Sequence, residues 1–233
     1  DSPAGFVAYF VLAAILPVAF LAFRGRSAAE GAVLTILGGL LFGPVRATVK
    51  LPLLPPLGKE TIEYLSVLLL FALRAPGRLR ATRAGMWRTD LLPILAALGG
   101  VGTSLTNSDA RSFGTWHVTH VPGMTLKDGF FISAASITSC LLPFFVGRAV
   151  VRDARDLRAL LRGFAIAGIV YAPLAFLEMR LSPQLHNWVY GYHPHEDFLQ
   201  SVRMGGYRPT IFMAHGLAVS LFFLVSALAM STL

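Results

Sequence analysis

Cysteine is almost missing from this chain: among 233 residues only Cys140 carries a thiol, which excludes an internal disulfide framework and a cysteine-rich zinc site. Charge is scarce as well. Asp, Glu, Lys and Arg together make up 14% of the sequence, where about 25% is usual for a soluble domain. Acidic residues are the scarcer sign, 12 against 20 basic ones, which leaves a formal charge of +8. In a soluble protein that excess would point to nucleic acid. Nucleic-acid-binding domains do not carry repeated apolar runs of membrane-spanning length, however, so no nucleic-acid partner is expected. The sequence also lacks a Walker loop, a Ser-His-Asp signature, a dinucleotide fingerprint and internal repeats. What it has in abundance is apolar surface: 55% hydrophobic residues and a mean hydropathy of +0.65. That composition is of a multi-pass integral membrane protein.

Mostly apolar stretches that approach the length of a membrane crossing recur seven times, at 5–23, 32–49, 62–73, 91–106, 130–146, 160–176 and 211–233. The predicted fold is an all-α polytopic transmembrane bundle, a single domain over 1–233, with long outer loops at 107–129 and 181–210. The third stretch spans only if Glu60 and Glu63 lie in the interfacial zone. The second holds Gly38, Gly39, Gly43 and Pro44, so a broken or re-entrant helix is expected there. Alternate loops differ sharply in charge. One set holds twelve arginines, from Arg24 and Arg26 through Arg74–Arg88 to Arg148–Arg162, against Glu30, Asp90, Asp153 and Asp156; the other set, with Asp1, is balanced. Short basic loops stay cytoplasmic, which predicts a multi-pass protein of the bacterial inner membrane with its arginine-rich loops inside. These loops are expected to act as topology signals and lipid-headgroup contacts. Asp1 at an outer amino terminus, and a last span without an arginine anchor, lead us to expect a piece of a longer protein.

Polar chemistry gathers on the outer side. His117, His120, His186, His193, His195 and His215 all fall in outer loops or at the outer end of a span. The stretch from Pro183 to Tyr192 has the pattern of a short interfacial helix, with Trp188, Tyr190 and Tyr192 at headgroup depth. Arg203 and Arg208 flank Gly205 and Gly206, where the backbone can approach a ligand closely. A guanidinium fork matches phosphate oxygens bidentately and keeps its charge; the alternative is a pair of snorkelling arginines. His215 is expected one turn inside the last span, able to exchange a proton near neutral pH or simply to pack. Glu178 and Arg180 end the sixth span, Glu178 as a base or an orienting counter-ion. His117 with His120, and His193 with His195 and Glu196, could supply metal ligands, although neither spacing is characteristic of a metal site.

The segment Arg203-Met-Gly-Gly-Tyr-Arg208-Pro-Thr-Ile-Phe-Met-Ala-His215-Gly-Leu, opening an apolar span, resembles the O-antigen ligase and O-antigen polymerase superfamily, where an arginine-glycine-rich stretch leads into a helix. The proline-rich hairpin at 51–57 is similar too. The resemblance implies an inverting glycosyltransferase that needs neither metal nor cofactor and polymerises or ligates a glycan carried on undecaprenyl diphosphate at the periplasmic face. Its partners would be that lipid-linked glycan and the membrane lipids. By the resemblance Arg208 first, then Arg203, with Arg180 nearby, would bind the diphosphate; His215 or Glu178 would be the base; Trp188, Tyr190, Tyr192 and Tyr207 would meet glycan or interface. Relatives carry about ten or more spans and a large later periplasmic loop, which this sequence does not include. Two other classes fit the same composition: a transporter or flippase for a lipid-linked glycan, and a non-catalytic membrane assembly subunit.

Overall fold

The computed structural model of the chain describes residues 4–51, 55–84, 90–114, 118–194, 201–203 and 205–233, with the side chains of Arg83, Ala84 and Arg203 left aside. The described chain is predominantly helical, and each of the seven apolar stretches contains a helix. In order the helices of the described chain are α1 (Phe6–Ala22), α2 (Ala28–Phe42), α3 (Lys59–Arg74), α4 (Pro76–Ala84), α5 (Leu91–Thr106), α6 (Leu126–Ser136) and α7 (Leu142–Val150), then α8 (Ala154–Leu181), α9 (Leu185–Tyr190) and α10 (Gly216–Ser231), of which α4 and α9 lie outside the seven stretches. A π-helical turn, Ile137–Leu141, joins α6 to α7. Two short antiparallel strand pairs interrupt the helices: β1 (Arg111–Phe113) with β2 (Thr119–Val121), and β3 (Val202–Arg203) with β4 (Gly206–Tyr207).

Local chemistry fixes the helix ends. Ser27 and Glu30 form a reciprocal capping box at the start of α2, and Thr125 and Asp128 do the same for α6. Asp153 opens α8 by accepting from the Arg155 and Asp156 amides, both at 2.8 Å. α2 stops at Gly43, ahead of Pro44, so the second apolar stretch is broken near its glycines as expected. The π turn has a cause in sequence. Pro143 has no amide to donate and would crowd the carbonyl one turn back, and a wider turn immediately before it removes that conflict.

Among the described residues, two helical stretches are long and apolar enough to cross a membrane, Leu126–Val150 and Ala154–Leu181. Only 17% and 22% of their most apolar windows is buried, whereas the core helix of a soluble protein is mostly covered. Both therefore present apolar surface outward, which marks the chain as membrane-associated. At 1.5 Å per residue α8 runs about 42 Å, more than the hydrocarbon thickness of a bilayer. Helix contacts are made through small residues. A Cβ on Gly163 would lie 2.4 Å from Val33 of α2, one on Gly168 would lie 2.7 Å from Ser226 of α10, and one on Gly100 would lie 2.7 Å from the Ser133 amide of α6. Backbones approach this closely where van der Waals packing holds helices together.

The basic loops converge at one end of the bundle. Arg78 makes a bidentate pair with Asp156 at 2.9 Å and donates to the Ala149 and Val150 carbonyls; Arg74 donates to Phe23, Arg152 to Arg78, and Arg148 pairs with Asp90. Four of the arginines expected to label topology and touch lipid thus also fasten Phe23, residues 74–78, Asp90 and the 148–156 loop together. Sequence pattern cannot show this, because the pairs lie up to 78 residues apart.

Candidate functional site

The opposite end carries the described residues of the segment 181–215, namely 181–194, 201–203 and 205–215. α3 begins there at Lys59 and α8 carries Glu178 in its last turn there, so both present polar residues to the same loops. Glu178 is 1% exposed. Its Oε1 accepts from the Leu185 amide at 3.0 Å, and its Oε2 from Thr210 at 2.9 Å and Ile211 at 2.7 Å. Lys59, 4% exposed, directs all three ammonium protons at carbonyls: Leu40 at 2.9 Å, Gly43 at 3.1 Å and Phe212 at 3.0 Å. Two of those carbonyls belong to the C-terminus of α2, the end that favours a cation. Tyr171 completes the grip, its hydroxyl accepting from the Phe212 amide at 3.2 Å.

These three side chains hold 210–212 by its backbone, and the grip coincides with strain. Ile211 is fully buried with φ +54°, a left-handed conformation that a β-branched residue adopts at a cost of about 1–3 kcal/mol. Such a conformation persists only when its surroundings over-determine it. Arg208 lies three residues before Ile211 and His215 four residues after it, so both project from a fixed platform. The Arg208 amide donates to Ser201 at 2.8 Å. Its aliphatic stem lies across the first turn of α10, where a Cβ on Gly216 would fall 2.1 Å from Cδ. His215 is the exposed N-cap residue of α10, its side chain making no capping bond.

A second buried knot ties α9 to the turn after α2. His186, 1% exposed, accepts at Nε2 from the Val45 amide at 3.1 Å and donates from Nδ1 to the Tyr192 carbonyl at 2.8 Å. That pairing fixes the neutral tautomer, and burial pulls its pKa down to about 4. Tyr190 and Tyr192 donate to the Phe42 and Val45 carbonyls, and burial raises both phenols to about 12. The sign of the histidine's effect follows from linkage. Unfolded, it binds a proton near pH 6.5; folded, it stays neutral down to about 4, so its contribution is complete above pH 6.5 and is lost as pH falls toward 4. The thermal midpoint is expected to be flat from pH 7 to 8 and to drop between 6.5 and 4 by the equivalent of about 3 kcal/mol. A midpoint that does not change over that interval would count against a buried neutral His186.

Several residues therefore occupy places other than those read from the sequence. α10 starts at Gly216, later than the expected 211, so His215 is the N-cap residue and does not sit a turn inside the helix; the non-helical 208–215 stretch, with a turn at 211–214, also removes the two-turn helical spacing between Arg208 and His215. Glu178 has both oxygens engaged by backbone amides and works as an anchor. Tyr190 and Tyr192 are 4% and 9% exposed and face inward, because their hydroxyls satisfy carbonyls near the end of α2. Trp188 and Tyr207 are exposed as an interfacial role requires, and Arg180 is exposed at the end of α8. β4, with Tyr207, packs against α8. The backbone of Arg203 lies in β3. His120 bonds Ser112 across β1 and β2 at 2.8 Å, and His193 is half-buried. His117, His195 and Glu196 lie outside the described residues, as does the side chain of Arg203. Among the described residues no three His, Cys, Asp or Glu gather within reach of one metal ion.

Lys59 and Tyr171 are the residues that sequence reasoning missed as parts of this site; His186 was placed at this end, but its buried bonds to Val45 and Tyr192 were not foreseen. A lysine beside the stretch 62–73 was the available signal, since a cation at a span boundary needs a partner. No protein-family model, curated protein or solved structure matches the chain, so any activity rests on the geometry of this end.

Proposed function

We propose that this chain is the seven-span part of a longer inner-membrane glycosyltransferase that acts on a glycan carried by a polyprenyl diphosphate, with the 181–215 segment at the outer face. The observation that carries the reading is the clamped, strained 210–212 backbone, which presents Arg208 and His215 from a rigid base beside the N-terminus of α10. Guanidinium and helix N-terminus both favour an anion, and a diphosphate leaving group is the anion that a membrane-surface site of this kind suits. In the proposed step an acceptor hydroxyl attacks the anomeric carbon while the bond from that carbon to the diphosphate oxygen breaks. The bonding electrons leave with the lipid diphosphate, held by Arg208, and His215 takes the hydroxyl proton. Arg203 and Arg180 are secondary ligands, and Trp188 and Tyr207 flank glycan or interface.

Two measurements test this. In membranes containing the full-length protein, Arg208→Lys should lower glycan transfer at least tenfold with normal insertion, because a point charge does not replace the fork; transfer at the parental rate in that variant and in Arg208→Ala would overturn the assignment. For the span arrangement, Cys140 is exposed on the π turn of an apolar helix. It should resist a membrane-impermeant maleimide in sealed vesicles of either orientation and react after detergent is added. Prompt labelling in sealed vesicles would place that helix outside the bilayer.

A further inference from the structure

At the arginine-rich end, a cavity of about 470 Å³ opens between the start of α2 and the start of α8, within the size range that holds a small ligand. Its carboxylates are already engaged. Glu30 caps α2, Asp153 caps α8, and Asp156 is paired with Arg78. Arg155, Arg158 and Arg162 also line the cavity, are exposed, and their guanidinium groups donate no hydrogen bond and form no ion pair among the described residues. Three guanidinium groups thus converge on a space where every acid is spent on the protein itself.

The helix extends the pattern. Arg155, Arg158 and Arg162 stand at spacings of three and four, so they share one stripe of α8, and the same spacing continues to Ile166 and Ile169. Those two side chains are 62% and 64% exposed. A basic head followed by an uncovered apolar stripe along one helix matches a molecule with an anionic head and acyl tails. A soluble phosphate ester would use the arginines alone and leave the stripe without purpose.

We propose that this cleft is a binding site for an anionic phospholipid, its phosphodiester held by Arg155, Arg158 and Arg162 and its acyl chains laid along Ile166 and Ile169. The proposal rests on the membrane placement of α8 and is independent of glycan transfer. Each arginine near a membrane surface contributes a several-fold preference for anionic lipid, and a fork adds geometry that a lysine lacks.

The test uses the purified full-length protein in detergent, with native mass spectrometry to compare bound phosphatidylglycerol, phosphatidylcholine and glycerol phosphate. The parent should retain phosphatidylglycerol at least tenfold over phosphatidylcholine, and glycerol phosphate should not compete. Changing Arg155, Arg158 and Arg162 together to Gln should abolish that preference while the thermal midpoint holds, since these side chains support no internal bond. A control with Arg24, Arg26 and Arg80 changed to Gln carries the same charge loss and should keep the preference. Equal loss in both triple variants would reduce the effect to bulk charge and overturn the site. Competition by glycerol phosphate at lipid-like concentration would overturn the lipid assignment in favour of a soluble phosphate ester. Failure of the membrane reading is seen separately, in the labelling of Cys140.

Discussion

Replacing Glu178 with alanine is expected to destabilise the protein by about 3–5 kcal/mol, the range in which removal of one side of a buried charged arrangement falls. Three backbone amides, those of Leu185, Thr210 and Ile211, would lose their acceptor inside a dry interior. Each buried donor left unsatisfied costs about 1–3 kcal/mol. Alanine also leaves a void, which water can occupy only in part. Glutamine is the informative companion. Its carbonyl oxygen can still accept from Thr210 and Ile211, but its amide nitrogen then faces the Leu185 N–H, donor against donor. Glu178→Gln should therefore lie between parent and alanine in thermal midpoint. Its transfer rate should follow its folded fraction; a variant that folds as the parent does yet loses all transfer would make Glu178 a participant in the chemistry and not an anchor. A loss below 1 kcal/mol in Glu178→Ala would sink the anchoring account.

The second large effect is at Lys59. Methionine matches the stem of lysine in length but has no protons, so Lys59→Met should cost about 2–4 kcal/mol, given about 1.5–3 kcal/mol for a hydrogen bond to a charged group and the loss of a cation from the end of α2. Arginine should not rescue. Gly43 leaves so little room that a Cβ there would lie 2.9 Å from the lysine Cδ, and a planar guanidinium needs more. The two substitutions should also be coupled. Glu178 holds Thr210 and Ile211 while Lys59 holds Phe212, so either change frees the same strained turn and lets Ile211 leave φ +54°. The double variant should be less destabilised than the sum of the singles by about 1 kcal/mol or more, as residues sharing one structural element are not additive. Strict additivity, measured by denaturant midpoint, would show that the two grips act on separate units.

Helix positions were legible in the sequence because apolar runs are a local signal. All seven stretches contain helices, and Gly38, Gly39, Gly43 and Pro44 foretold the break at the end of α2. The grouping of arginines at one end also followed from their alternation among loops. What local pattern could not show was the use of polar residues across the fold. His186 bonds Val45 across 141 positions and Lys59 bonds Phe212 across 153; nothing in the neighbourhood of either residue in the chain announces its partner. Tyr190 and Tyr192 have the composition of an interfacial belt, and only the three-dimensional position of the Phe42 and Val45 carbonyls turns them inward. The start of α10 was misplaced for a similar reason. The run Ile211-Phe212-Met213 is as apolar as a helix, but three side chains from elsewhere claim its backbone and hold it in a tight turn with Ile211 left-handed.

The π turn between α6 and α7 has a meaning of its own for how this helix tolerates change. One additional residue is wound into a single turn, so everything after Leu141 is rotated about 100° relative to a continuous α-helix. That rotation lets one helix serve two neighbours whose contact faces are out of phase: α6 packs on α5, while α7 meets α3 and α4 and aims Arg148 at Asp90. The turn is in effect an indel recorded in the backbone, so gain or loss of a residue between Ile137 and Leu141 would reassign which face each half shows while leaving the helix unbroken.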